Sequence, residues 1–127
     1  MKLGLRPLVW PILGFLLAIA GTPEVSFAEG DSTMHQPQHF FGRLLGTRPT
    51  WPGDMTEAEG KIMSEHFARL KKFVMAKKVL MAGPCFGDPV FGLCILRVDS
   101  EAEAREIMTN DPAVKAGLMT FDLAPLT

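Results

Sequence analysis

The sequence holds little of several features that usually reveal function, and each shortage excludes something. It has no basic block: 13 Lys and Arg are balanced by 14 Asp and Glu, leaving a net charge of −1. Nucleic acid and anionic membranes therefore find no electrostatic footing, and neither is expected as a partner of the mature chain. No Ser sits in a nucleophile elbow and no phosphate-binding loop is present, which removes two large enzyme classes. Histidine is scarce. His35 and His39 lie four apart without a carboxylate or thiolate at matching spacing, so they read as a solvated tail rather than a metal site. The eight Met residues fall mostly on core positions and read as packing rather than copper ligands.

Long apolar runs are nearly absent, and the one present is informative. Residues 8–20 carry no charge and follow a short basic start at Lys2 and Arg6. Gly21, Thr22 and Pro23 break that run, and Ser26-Phe27-Ala28 offers the small residues a signal peptidase reads. An apolar stretch of about 13 residues falls short of the ~20 that span a bilayer, so a cleaved signal is expected rather than a retained anchor. Cleavage is predicted after Ala28, giving residues 1–28 as signal peptide, 29–38 as a disordered lead-in and 39–127 as the domain. The location would be periplasmic or secreted, and no Arg pair marks the twin-arginine route.

Only two cysteines occur, Cys85 and Cys94. An oxidising compartment permits a bridge between them. A turn centred on residues 87–90 would place Gly83 opposite Cys94, which disfavours it, and each thiol also suits a small buried apolar position.

What is present is a small α+β pattern. Residues 39–47 read as a strand, followed by a loop that Pro49, Pro52 and Gly53 keep irregular. Thr56 with Glu59 forms a capping box, and Met63, Phe67, Leu70 and Val74 make one apolar stripe on the helix beyond it. Residues 79–84 and 91–98 are short apolar strands around a turn. Ser100 and Glu103 open a second helix, with Glu101 and Arg105 spaced for an ion pair. Asn110-Asp111-Pro112 ends it, one further turn closes at Gly117, and residues 118–123 alternate as a last strand. The order β-α-β-β-α-β is the ferredoxin-like plan: an antiparallel four-stranded sheet with two helices on one face. Both middle strands are apolar on either side, so the bare sheet face needs cover, and a homodimer through that face is expected.

Two residues draw attention as chemistry. His66 lies about 70° from the centre of the apolar stripe, at the boundary between buried and wet faces. Such a His is commonly just half-buried with a backbone bond, and Asp111 before Pro112 has an ordinary role in starting a turn. Trp51 in the Pro-rich loop either walls a cleft or pins the loop.

The segment from His66 onward resembles the YCII-related family. The matching pieces are Glu65-His66-Phe67, Leu80-Met81-Ala82-Gly83-Pro84, the apolar strand through Cys94, and Asn110-Asp111-Pro112-Ala113-Val114-Lys115-Ala116-Gly117-Leu118. The resemblance implies a dimeric α/β barrel whose cleft is lined by a His–Asp pair, here His66 and Asp111, with Gly83 and Pro84 beside it. A carboxylate on one imidazole nitrogen would fix the tautomer and leave the other nitrogen to move a proton. Many members carry an Arg one turn before the His, where this chain has Ile62 and Met63; Arg43 or Arg48 is the expected substitute for binding an anionic ligand. The implied activity is a cofactor-free isomerisation or elimination on a small organic molecule. A ligand-binding module without turnover, or a purely structural dimer, uses the same residues.

Overall fold

The computed structural model describes residues 35–127, together with Gly21. The chain divides into two units, Met1–Ser32 and Thr33–Thr127, and the second of these carries every element described below. The predicted signal peptide and most of the predicted lead-in lie outside the described residues. No described helix is long and apolar enough to cross a membrane.

The elements are β1 (Gln38–Gly46), α1 (Glu57–Met75), β2 (Val79–Cys85), β3 (Phe91–Val98), α2 (Glu101–Thr109), α3 (Pro112–Lys115) and β4 (Met119–Leu126). The sheet is antiparallel with order β2-β3-β1-β4. This is the ferredoxin-like α+β fold that the alternation of apolar runs and capping signals predicts. The extra turn before β4 is a separate short helix, α3, bringing the described helices to three. β1 starts at Gln38, inside the expected lead-in, and His35 Nε2 lies 2.8 Å from the Asp99 carbonyl. β4 runs to Leu126, beyond the expected end at residue 123.

Local chemistry sets the element boundaries. The Thr56 hydroxyl accepts from the Glu59 amide at 3.2 Å, and the Glu59 carboxylate accepts from the Thr56 amide at 2.9 Å, a complete capping box. At α2 the Ser100 hydroxyl accepts from the Glu103 amide, but the Glu103 carboxylate reaches past it to the Asp99 amide and pairs with Lys78. Lys77, at φ 58°, and Lys78 come after the α1 C-cap Ala76 and lead directly into β2, and Gly117 at φ 74° does the same between α3 and β4.

Strand alternation sends Phe40, Leu44, Leu96 and Val98 under the helices, where they meet Ile107 and Met108 of α2. The opposite face carries a row across all four strands in which Met81 pairs with Ile95, Ile95 with Phe41 and Phe41 with Ala124. A bulge between Val79 and Met81 lets Val79 and Ala82 both take helix-side partners, Leu96 and Cys94.

Two expectations need correction. Ala82, not Gly83, stands opposite Cys94, because Cys85 pairs with Phe91 and the loop between them is one residue longer than expected. Cys85 and Cys94 thus point to opposite faces, and both are free thiols. The α1 stripe is also rotated from the expected one. Met63 and His66 are its buried residues, with Leu70 and Phe73 packed on the core, while Phe67 is 57% exposed and Val74 is exposed. Turning the helix this way places an imidazole inside, and Asp111 supplies the hydrogen bond that offsets the cost of burying it.

Candidate functional site

His66 projects from the middle of α1 toward the chain segment between α2 and α3. Its Nδ1 lies 2.7 Å from Asp111 Oδ2, and the two residues are 5% and 6% exposed. Asp111 is the N-cap of α3, so its other oxygen, Oδ1, accepts from the Ala113 amide at 2.9 Å. The carboxylate is therefore fixed at both oxygens, one to backbone and one to imidazole. Burial is the largest single influence on this carboxyl and pushes its pKa upward. The hydrogen bond to His66 leads the influences that oppose it, with the Ala113 amide and Arg69 beside it, and Asp111 lies below the ordinary carboxylate value.

Whenever the imidazole is neutral, a carboxylate on Nδ1 holds the ring proton on that nitrogen and leaves Nε2 as the free acceptor. Among the described residues no buried side-chain nitrogen or oxygen lacks a partner. Nε2 has no described protein partner and so opens toward the cavity that His66 lines.

That cavity is about 230 Å³, between the sheet end, α1 and the two adjoining loops. Its wall is apolar: Trp51 and Met55 come from the β1–α1 loop, Met63 and Phe67 from α1, and Gly83 and Pro84 from β2. Phe86 of the β2–β3 loop also lines it and is 82% exposed. His66 is the one imidazole, carboxylate, amine or guanidinium among the lining residues. The Cys94 thiol is also in the wall; burial, with the Asp111 charge behind it, raises its pKa to about 11, so it stays protonated.

Trp51 is seated by close packing. A Cβ on Gly46 would lie 2.4 Å from Trp51 Cδ1, so only glycine lets the indole lie against β1. Arg48 covers the ring from another side, its guanidinium carbon 5.1 Å from the ring centroid.

The remaining predicted site residues stand elsewhere. Arg48 is outside the cavity wall: its two terminal nitrogens bind the two Glu59 oxygens at 2.7 and 2.8 Å, and Nε binds Asp54 at 2.8 Å. The same Glu59 completes the α1 capping box, and the Arg48 bonds bring its carboxyl pKa down to about 2. Arg43 sits on β1 across from Asp122, to which its Nε donates at 3.1 Å. Alternation puts it on the face opposite Leu44, away from the helices. The structure thus brings His66, Asp111, Trp51, Gly83 and Pro84 to one place, and commits both arginines to carboxylates outside it.

One neighbour escaped the sequence reading. Arg69, three residues beyond His66, donates to the Ile107 carbonyl at 2.8 Å and stands 3.9 Å from Asp111 Oδ2. Its spacing from His66 was the available signal, since positions three apart share a helix face. No cluster of metal-ligating side chains occurs among the described residues.

Comparison with known proteins agrees with this geometry at the level of family. A family model described as the YCII-related domain matches residues 43–122, which include the end of β1, α1, the β2–β3 hairpin, α2 and Asp111. No curated protein matches the chain. With the match covering most of the chain and both members of the buried pair, the protein belongs to the YCII-related domain family.

Proposed function

We propose that the domain binds a small, largely apolar organic molecule in the cavity and moves a proton on it through His66, oriented by Asp111. The observation that carries this reading is the 2.7 Å Nδ1–Oδ2 contact, on a ring whose other nitrogen opens on an apolar cavity. A general base needs a fixed tautomer, a free acceptor nitrogen and a substrate site from which water is largely excluded. Isomerisation or elimination needs little more than that when the C–H is acidified by a neighbouring carbonyl, and no cofactor enters the scheme.

A second reading has its own support. His66 is the one strongly polar group lining the cavity, so no neighbouring donor is evident for charge developing on a substrate oxygen. The site then acts as a binding or sensing pocket, with Nε2 as a hydrogen-bond anchor. Thermal-shift screening of the full chain and of His66→Gln against one small-molecule library separates the two. Catalysis predicts ligands that still bind the variant but are no longer converted; the binding reading predicts that their affinity falls and that neither form converts them.

We also propose that the domain acts outside the cytoplasm, because residues 1–28 have the layout of an export signal. Mass spectrometry of the secreted or periplasmic chain should find an N-terminus at Glu29, and an intact Met1 would refute it. The apolar row Met81–Ile95–Phe41–Ala124 supports a second copy of the chain as its cover.

A further inference from the structure

We infer that Arg69 is a positioning residue of the His66–Asp111 pair, which it serves without facing the cavity. The inference rests on the proposed role of that pair. Arg69 does not line the cavity and is 25% exposed along its side chain. Two contacts define what it does. Its Nη1 donates to the Ile107 carbonyl at 2.8 Å, within the last turn of α2 and four residues before Asp111. The same nitrogen stands 3.9 Å from Asp111 Oδ2, the oxygen that meets His66.

The carbonyl bond has a clear reason to exist. The last turn of a helix leaves carbonyls without an intrahelical partner, and a cation there also meets the negative end of the helix dipole. Arg69 supplies both from α1, so the element bearing His66 and the segment bearing Asp111 are joined directly at their closest approach. Its guanidinium lies 4.7 Å from the Phe73 ring centroid, which restricts its swing.

The charge acts on the carboxylate itself. A buried Asp with a single neutral imidazole partner carries a net negative charge in a poorly solvated place. Arg69 offsets part of that charge on the oxygen shared with His66 and reinforces Asp111 as an ionised acceptor, beside the larger effects of His66 and the Ala113 amide. An ionised Asp111 dictates the Nδ1–H tautomer; a protonated one would not. Arg69 thereby strengthens the preference for Nε2 as the nitrogen that faces the cavity as a base, though it touches neither nitrogen.

The test reads the Nδ1 proton in the full chain with ¹⁵N-labelled histidine. There are three histidines, and the signal lost in His66→Gln assigns the right one. The wild type should show a deshielded, slowly exchanging Nδ1–H. In Arg69→Met that proton should exchange roughly tenfold faster, equivalent to 1.4 kcal/mol, and Arg69→Lys should recover most of the difference. Arg69→Gln, which keeps an amide donor for Ile107 without charge, should behave like Arg69→Met and replaces it should that variant not fold. Exchange unchanged in a folded Arg69→Met or Arg69→Gln would overturn the inference while leaving the His66–Asp111 pair intact. A wild type without an Nδ1–H would remove the pair itself, and this role with it.

Discussion

Asp111→Asn is the most informative single change, because the structure predicts that it spares the fold and inverts the chemistry. In the wild type Oδ2 meets the His66 Nδ1–H and Oδ1 accepts from the Ala113 amide, so both oxygens act as acceptors. Asparagine has one acceptor and one donor in the same shape. Its oxygen can keep the α3 cap, a position where Asn and Asp are about equally good. Its NH₂ then faces His66 and must donate, which forces Nδ1 to become the acceptor and moves the ring proton to Nε2. The cavity would now see a donor where it saw a base. The stability loss should be about 1 kcal/mol, the difference between a charge-assisted and a neutral hydrogen bond. Asp111→Ala should cost far more: about 1 kcal/mol for the cap and about 1–3 kcal/mol for a buried imidazole N–H left unpaired. For a domain of this size those sums mean roughly 4–8 °C for Asn against more than about 10 °C for Ala. Thermal denaturation gives the stabilities, and imidazole ¹⁵N shifts give the tautomer. An Asp111→Asn protein whose His66 still carries its proton on Nδ1 would refute the reasoning, as would equal melting losses in Asn and Ala.

Three further outcomes stem from the same geometry. Gly46→Ala should push the Trp51 indole off β1, since its Cβ would fall 2.4 Å from Cδ1; Trp fluorescence should shift to the red and ligands of the cavity should bind less tightly. The acid limb of stability should carry Glu59 and Asp111: both carboxyls are held below their ordinary values of 4.5 and 3.8, so their contribution is complete above about pH 4.5 and falls as pH drops toward 2. Arg48→Met should make that fall shallower, because Glu59 loses the partner that depresses it most, and urea titrations across pH 5 to about 2 would detect this. Ile95→Asp places a charge in the centre of the apolar row on the open face, so light scattering should record a dimer for the wild type and a monomer for the variant.

Much of the fold was legible because local signals agreed with one another. Thr56 and Glu59 announced α1, the residue before Pro112 ended α2, and two apolar runs around a Gly-Pro-rich turn announced the hairpin. What the sequence could not supply were one-step choices settled by tertiary packing. A single residue of hairpin register decides whether Cys85 and Cys94 share a face, and apolar patterning on both sides of β2 and β3 does not specify it. The azimuth of α1 was similarly ambiguous: Phe67 and Val74 look like core residues, yet burying Phe73 and the hydrogen-bonded His66 in their place satisfies more partners. The pair His66 and Asp111 was found through family resemblance rather than through periodicity, since 45 residues separate them and only the packing of α1 against α3 brings them together. Arg48 illustrates the opposite case. The lack of the family's Arg before His66 makes it an expected ligand-binding cation, but Asp54 and Glu59 close by in sequence take its guanidinium, a competition visible only once the loop is folded.

Isotope exchange asks most directly whether His66 moves a proton on a bound molecule. Cyclic ketones that raise the melting temperature of the full chain would be incubated with it in D₂O and followed by proton NMR for exchange of the C–H next to the carbonyl. Exchange above the buffer rate is expected with wild type, and none above it with His66→Gln or Asp111→Asn. Exchange that persists undiminished in both variants, or ketones bound tightly by wild type with no exchange at all, would contradict a proton-transfer role for the pair.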